Sequence, residues 1–355
     1  MSVKDFELDL SKKRILLVGG AGFIGHNLAI QLRNLGAFVE VADSFAVNSI
    51  LNLKLHPNNG ADISIYKDFL DERINVMKDL GVVLSIFDAT NRYEVLKILS
   101  NHYDIIYLLA AVSHASRSND SPINAFDNGL LPFHHFVSAL ANKPTTRLVY
   151  LSSSTVYGNF TKPVVDETDT CSPFGMYAVL KHTGERLLQE ISKYSDLNYS
   201  IVRPSALYGE RCISRRVSQI FLENAFAGRK LVFRGNLDET LDFTYISDLV
   251  QGLILAGVHE GARNELFNIT FGNARPVIYL AEILKEYFKN VVLEIEERVQ
   301  ATPIRGTLNN DKAKKLLGFA PQWPIEEGYR RYIEWYLKRS RDRSMVFNTM
   351  SQSND

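Results

Sequence analysis

Cysteine is scarce: two residues, Cys171 and Cys212, occur in a chain of 355. That excludes a disulfide framework, and the pair shows no metal-ligand spacing. Charge of one sign is also lacking, since 40 basic residues meet 40 acidic ones. No imbalance points to nucleic acid or a membrane surface as a partner. No apolar run is long enough to span a bilayer, and the N-terminus does not read as a signal peptide. A reducing cytoplasm is therefore the expected location. Internal repeats and low-complexity linkers are missing as well. The length exceeds that of a usual single domain and allows a large buried core.

What is present begins with glycine. Arg14-Ile15-Leu16-Leu17-Val18 is a short apolar run, as in a buried parallel strand. It leads into Gly19-Gly20-Ala21-Gly22-Phe23-Ile24-Gly25 and then a stretch of helical periodicity over 27–35. Strand, glycine turn and helix in that order bring backbone N–H groups and a helix N-terminus up to a pyrophosphate. A second apolar strand, 38–42, ends at Asp43, 18 residues after Gly25. A carboxylate there can take the adenosine ribose diol and repels a 2′-phosphate, so NAD is favoured over NADP. No arginine follows in Ser44-Phe45-Ala46-Val47. The motif also fits a purely structural turn, and Asp43 a solvated strand end.

Tyr177 and Lys181 stand at i and i+4, on one face of a helix, with Ser152-Ser153-Ser154 about 24 residues upstream. The ammonium is expected to lower the phenol's pKa from about 10, and a serine hydroxyl to hold a substrate oxygen. Such pairs also arise by chance on amphipathic helices.

With these residues in place, the chain resembles the extended short-chain dehydrogenase/reductase family, its nucleotide-sugar epimerase and dehydratase group. Further landmarks are Asp88, Leu109-Ala110-Ala111, Ser152 to Gly158, Arg203-Pro204-Ser205-Ala206-Leu207-Tyr208-Gly209, Asp242 to Asp248, and Lys312 to Phe319. The resemblance runs from about residue 13 to 337. It implies Ser153 as the catalytic hydroxyl, Tyr177 as the base, and Lys181 as the residue that binds nicotinamide ribose. It places NAD on Gly19, Gly22, Phe23, Ile24, Gly25, Asp43, Asp88, Ala89, Leu109, Ala110, Ala111 and Pro204, besides Tyr177 and Lys181. Ser113, His114, Ser153, Ser154, Arg211, Arg216 and Arg305 are the expected substrate contacts, and no metal is expected. His114 reads equally well as a structural loop histidine.

Dehydratases and decarboxylases of the group carry acids just after the catalytic hydroxyl, but here Ser154 and Thr155 follow it. Neither does acid–base work near neutral pH. A C4 epimerase of nucleotide sugars is expected, ahead of a dehydrogenase, a 4,6-dehydratase or a non-catalytic NAD-binding regulator. Ala206 and Leu241 replace the Asn and Arg expected for substrate phosphates, and Asn128 is displaced. Arg211, Arg215, Arg216, Arg234 and Arg305 lie in segments that border the cleft in relatives. Each reads singly as a surface charge; together they predict a phosphate contact.

Strand patterns at 14–18, 38–42, 82–87, 104–109, 147–152 and 199–203 alternate with helices, predicting an α/β Rossmann fold, a doubly wound parallel sheet. A smaller α/β C-terminal substrate lobe follows, with helices near 215–227, 247–257, 278–289 and 324–337 and strands near 231–233 and 291–295. The expected division is 13–203 plus about 242–272 for NAD, about 204–241 plus 273–340 for substrate, and a flexible tail over 341–355. The long stretch between Asp43 and Asp88, with helices over Asn48–Leu55 and Phe69–Leu80, reads as a surface embellishment or as a flap or oligomer contact. His134-His135 reads as helix surface or dimer face. Phe126, Leu130, Phe133 and Val137, with Leu187, Leu188 and Ile191, form apolar stripes that suit a homodimer; core packing against the sheet is the alternative.

Overall fold

Most apolar runs of the first half become strands because their residues are buried on both faces; the edge strand Val83–Ile86 is the exception, with exposed ends. β1 (Arg14–Val18), β2 (Phe38–Asp43), β3 (Val83–Ile86), β4 (Ile105–Leu108), β5 (Arg147–Leu151), β6 (Asn198–Arg203) and a later strand, Glu265–Asn268, make one sheet. A computed structural model gives this architecture and describes residues 8–47, 49, 63–110, 118–119, 121–236, 238–297 and 303–352. All neighbours pair in parallel. The order is 3-2-1-4-5-6 followed by the late strand, so the winding reverses between β1 and β4. A ligand crevice opens at the carboxyl ends of strands at such a reversal.

Helices cover both faces. They are α1 (Phe23–Asn34), α2 (Ile63–Asp79), α3 (Arg92–Ile98), α4 (Pro122–Leu140), α5 (Met176–Ile191), α6 (Val217–Phe226) and α7 (Ile246–Val258). After the late strand, now β8, come α8 (Ile278–Tyr287), α9 (Asp311–Leu317) and α10 (Ile325–Gln352). Leu28, Leu32, Leu249 and Leu253 of α1 and α7 pack on one sheet face with Leu17 and Phe267. Phe133 and Phe136 of α4 and Leu188 of α5 pack on the other with Tyr150 and Ile201. A further core joins Phe221, Leu280, Tyr329 and Ile333 of α6, α8 and α10. Two strands of that region, β7 (Leu231–Arg234) and β9 (Leu293–Glu296), pair in parallel.

Three expectations change. Phe69–Leu80 is part of a longer helix, α2, and no surface embellishment: Ile65, Tyr66, Phe69 and Leu70 join the further core and Met77 the sheet core. Asn48–Leu55 lies outside the described residues. α10 runs to Gln352, past the expected end at 337. The α4 stripe divides, with Phe133 and Val137 buried in the core while Phe126 faces outward.

Two buried carboxyls clasp the later segments to the sheet. Asp242 accepts from Leu308 N (3.0 Å), Thr270 Oγ1 (3.0 Å) and Gly272 N (3.1 Å). Asp248, in the first turn of α7, accepts from Gln322 N (2.9 Å) and Trp323 N (3.0 Å). Burial pushes each up to about 6, against hydrogen bonds that pull down. A raised folded-state pKa gives stability that is full below the unfolded value of 3.8 and is lost as pH rises through 6. The stability of the wild type relative to Asp248→Asn is therefore expected to rise by about 1 kcal/mol between about pH 7.5 and pH 5. Urea midpoints of both proteins measure it; a difference that stays flat or falls contradicts the raised carboxyl.

Candidate active site

The glycine turn sits where the sheet reverses. Gly19 has φ +78, and a Cβ there would stand 2.7 Å from Ala110 N at the end of β4. A Cβ on Gly25 would meet the Gly20 backbone at 2.5 Å. Side chains are thus excluded by the closeness of turn, helix and strand. Gly22 caps α1 in extended conformation with no side-chain bond to its first N–H groups. Those donors face a ligand rather than a cap. Asp43, buried at the end of β2, accepts from Ala21 N (2.9 Å) and Phe45 N (2.8 Å). Its pKa is raised by burial and held back by those N–H groups and by Arg73. An open helix N-terminus, a turn without side chains and a carboxylate beside it fit a dinucleotide.

Of the other expected cofactor residues, Leu109 and Ala110 follow β4, and Pro204 follows β6, its carbonyl accepting from Ser154 N (3.0 Å). Asp88 is exposed, and its Oδ1 accepts from Thr90 N (2.9 Å) and Oγ1 (2.7 Å). Ala89 is half-buried beside it. Ala111, Ser113 and His114 lie outside the described residues.

Ser153 leaves β5 in extended backbone and caps a short 3-10 turn, Ser154–Tyr157. Its Oγ accepts from Thr155 N (3.2 Å) and Thr155 Oγ1 (3.0 Å). Lys181 is buried on α5, donating from Nζ to Leu151 O at 2.6 Å. Burial pushes its ammonium down to about 8, opposed by Glu185. Burial raises the Tyr177 phenol; the Arg216 guanidinium and the Ser153 hydroxyl pull it back. The cation that opposes this rise is Arg216, while the sequence pattern pointed to Lys181. Lys181 is fixed between the end of β5 and the rings of Tyr150 (5.0 Å) and Tyr177 (6.0 Å).

Residues 15–270 match the model of the NAD dependent epimerase/dehydratase family. The chain belongs to this family. Its fellows include a putative UDP-glucose 4-epimerase of Methanocaldococcus jannaschii, 25% identical over 92% of this chain and 99% of that protein. The human dTDP-D-glucose 4,6-dehydratase is 25% identical over 91% and 90% of the two chains. UDP-glucuronic acid 4-epimerase from Bacillus cereus, solved with UDP-glucuronic acid and NAD, shares the fold at a TM-score of 0.81 and 22% identity, covering 92% and 99%. The protein is an NAD-dependent enzyme.

The family member's five cleft arginines separate by partner. Arg211 (φ +61) turns away, giving Nε to His26 Nε2 (3.1 Å) and Nη1 to Glu72 (3.1 Å). These contacts tie its side chain to α1 and α2 within the chain. Arg215 pairs with Glu223 (3.3 Å) and Arg234 with Glu296 (2.7 Å). Arg216 and Arg305 form no salt bridge among the described residues. Arg305 Nη1 donates to Ser154 O (2.9 Å), and burial with the like charge of Arg216 pushes it down to about 10. Two guanidiniums near one another, Arg216 acting on Tyr177 and Arg305 bonded to Ser154, suit an anionic substrate group.

Beneath these groups lies a pair that sequence reading missed. Arg203 gives Nε (2.9 Å) and Nη2 (2.6 Å) to the Glu185 carboxylate, which also accepts from Ser152 Oγ. Its only sequence signal was an acid one helical turn after Lys181. Removing Arg216 leaves burial of Tyr177 less opposed. The acid limb of the pH–rate profile, where activity rises as the phenol ionises, is expected to move upward in Arg216→Met; an unmoved limb removes Arg216 from control of the phenol.

Proposed function

We propose that the enzyme epimerises a nucleotide sugar at C4 through a transient 4-keto sugar, with Tyr177 as the base. The observation that carries this reading is the meeting of Ser153, Tyr177 and Lys181 at the ends of β5 and α5, with Ser154 and Thr155 in place of acids. Tyr177 takes the proton of the reacting hydroxyl, and Ser153 holds that oxygen by a hydrogen bond. Lys181 contributes positive charge that favours the phenolate once substrate and cofactor are in place. NAD, when bound, supplies the acceptor and donor of hydride. Gly19, Gly22, Phe23, Ile24 and Gly25 hold its pyrophosphate side, Asp43 its ribose, Asp88 and Ala89 its adenine. Leu109, Ala110 and Pro204 line the remainder. Arg216 and Arg305 hold the substrate diphosphate, beside Ser154. Without a carboxyl after Ser153, elimination of a sugar hydroxyl has no proton donor at that position.

UDP-glucose, UDP-glucuronic acid and UDP-N-acetylglucosamine are suitable probes. Product NMR is expected to show the C4 epimer of at least one, with no net absorbance gain at about 340 nm. Accumulating NADH with a released keto sugar would replace this reading by a dehydrogenase. Tyr177→Phe removes one hydroxyl, so turnover is expected to fall ~10²-fold or more while NAD binding survives. Near-full activity in that variant places the base elsewhere.

The same reading includes a twofold dimer through α4 and α5. Ile123 and Phe126 are 75% and 47% exposed on α4, and Val179 and Leu187 are 42% and 38% exposed on α5. An isologous contact covers both pairs at once. Light scattering is expected to give about twice the 40.2 kDa of one chain; a monomer mass overturns the dimer and leaves the catalytic roles standing.

A further inference from the structure

A cleft of about 710 Å³ opens between α5, the strand β6 with its edge neighbour β8, and the loops at 166–171 and 309–312. None of Ser153, Tyr177 and Lys181 lines it. On its wall the fold brings together Cys171, His182 and Glu185, whose ligating atoms all lie within 4.8 Å of one another. We propose that these three side chains form a site for one divalent cation of the zinc type, with its fourth position open to the cleft.

The donor set is a thiolate sulfur, an imidazole nitrogen and a carboxylate oxygen, the set that borderline-soft cations prefer. His182 and Glu185 stand at i and i+3 on α5 and so share one face, while the loop before the helix returns Cys171 to them. An ion with bonds of about 2.0–2.3 Å needs the donors to close by roughly an ångström, within rotamer adjustment. Glu185 is already oriented by Ser152 Oγ and by Arg203, whose Nε takes one carboxylate oxygen at 2.9 Å and Nη2 the other at 2.6 Å, so an ion bound here shares the carboxylate with the guanidinium.

Arg203 Nη2 stands 3.3 Å from Cys171 Sγ, so the guanidinium borders the thiol as well as the carboxylate. Arg203 Nη1 is buried without a partner on the same wall. It is a donor for the water or small anion that fills the fourth position. The spacing Cys171, His182, Glu185 matches no metal motif because the site is made by the loop's return and not by one local segment.

The test uses untagged, metal-stripped protein with NAD present. Zinc(II) is titrated in competition with a chromophoric chelator, and cobalt(II) is added separately to read coordination from its visible absorption. One equivalent is expected to bind, with the intense visible bands of tetrahedral cobalt. Cys171→Ser and His182→Gln should each weaken binding by about tenfold or more, with thermal melting of the metal-free forms confirming that they fold. His134→Gln should leave binding intact. No saturable equivalent in the wild type, equal affinity in the two ligand variants, or dependence on His134 instead overturns the site. None of these readouts depends on sugar turnover, so failure here and failure of the epimerase reading are separable.

Discussion

The buried pair of Glu185 and Arg203 is the interaction on which the catalytic geometry rests. It joins α5 to the end of β6, and through Ser152 to the end of β5. Those are the elements that carry Tyr177, Lys181 and Ser153. Arg203 also lies over the Tyr157 ring at 4.6 Å, so the 3-10 turn after Ser153 is fixed by the same guanidinium. A buried ion pair is a poor source of net stability, because both charges lose water. Breaking it is another matter: a lone buried charge costs about 3–5 kcal/mol. The pair therefore acts as a geometric condition, tolerable only when helix and strands stand in one register.

Charge around the phenol follows from that register. Lys181, drawn to the Leu151 carbonyl, stands beside the ring of Tyr177, and its own ammonium is made more acidic by burial. Arg216 and Arg305 approach from the other lobe, one at the start of α6 and the other before α9. Neither has a carboxylate to neutralise it among the described residues. A dianionic diphosphate arriving there would relieve their mutual repulsion and, at the same time, reduce the positive field that favours phenolate. Substrate binding and base strength are thus opposed through Arg216, unless Lys181 takes over as the cation nearest the reacting oxygen. That division reconciles the role expected for Lys181 from sequence with the charges around the phenol.

Most of the sheet and the glycine turn were legible because each is local. The apolar run Ile15 to Val18 is continuous since both strand faces are covered, and Gly19 to Gly25 announces a turn that cannot hold side chains. Ser153, Tyr177 and Lys181 were legible as types and spacings, yet the source of the phenol's positive field was not. Arg216 is 39 residues from Tyr177 in sequence, and only the lobe's return brings it near. The partners of Arg211 were not legible for the converse reason: a surface-looking arginine in a cleft segment is indistinguishable in sequence from one paired with Glu72 and His26 from a left-handed backbone at φ +61. α2 was misread because its amphipathic stripe says that it packs, without saying on what.

What α2 packs on explains how the cofactor turn and the substrate segment stay in register. Tyr66 and Phe69 anchor it in the core shared with α6 and α10, while Met77 reaches the sheet core. Between them the buried Arg73 donates to the Arg211 carbonyl (Nε, 3.2 Å) and, more weakly, to Ala21 O in the glycine turn (Nη1, 3.5 Å). Asp43 takes the N–H of the same Ala21 (2.9 Å) and supplies the carboxylate that compensates Arg73. Glu72, next along the helix, holds the Arg211 side chain and, from α10, Arg339 (2.6 Å). Movement of the glycine turn therefore pulls on the backbone that leads, five residues later, to Arg216. The two binding regions are joined by short polar contacts through one helix, and the extra chain length between β2 and β3 is what makes that helix available.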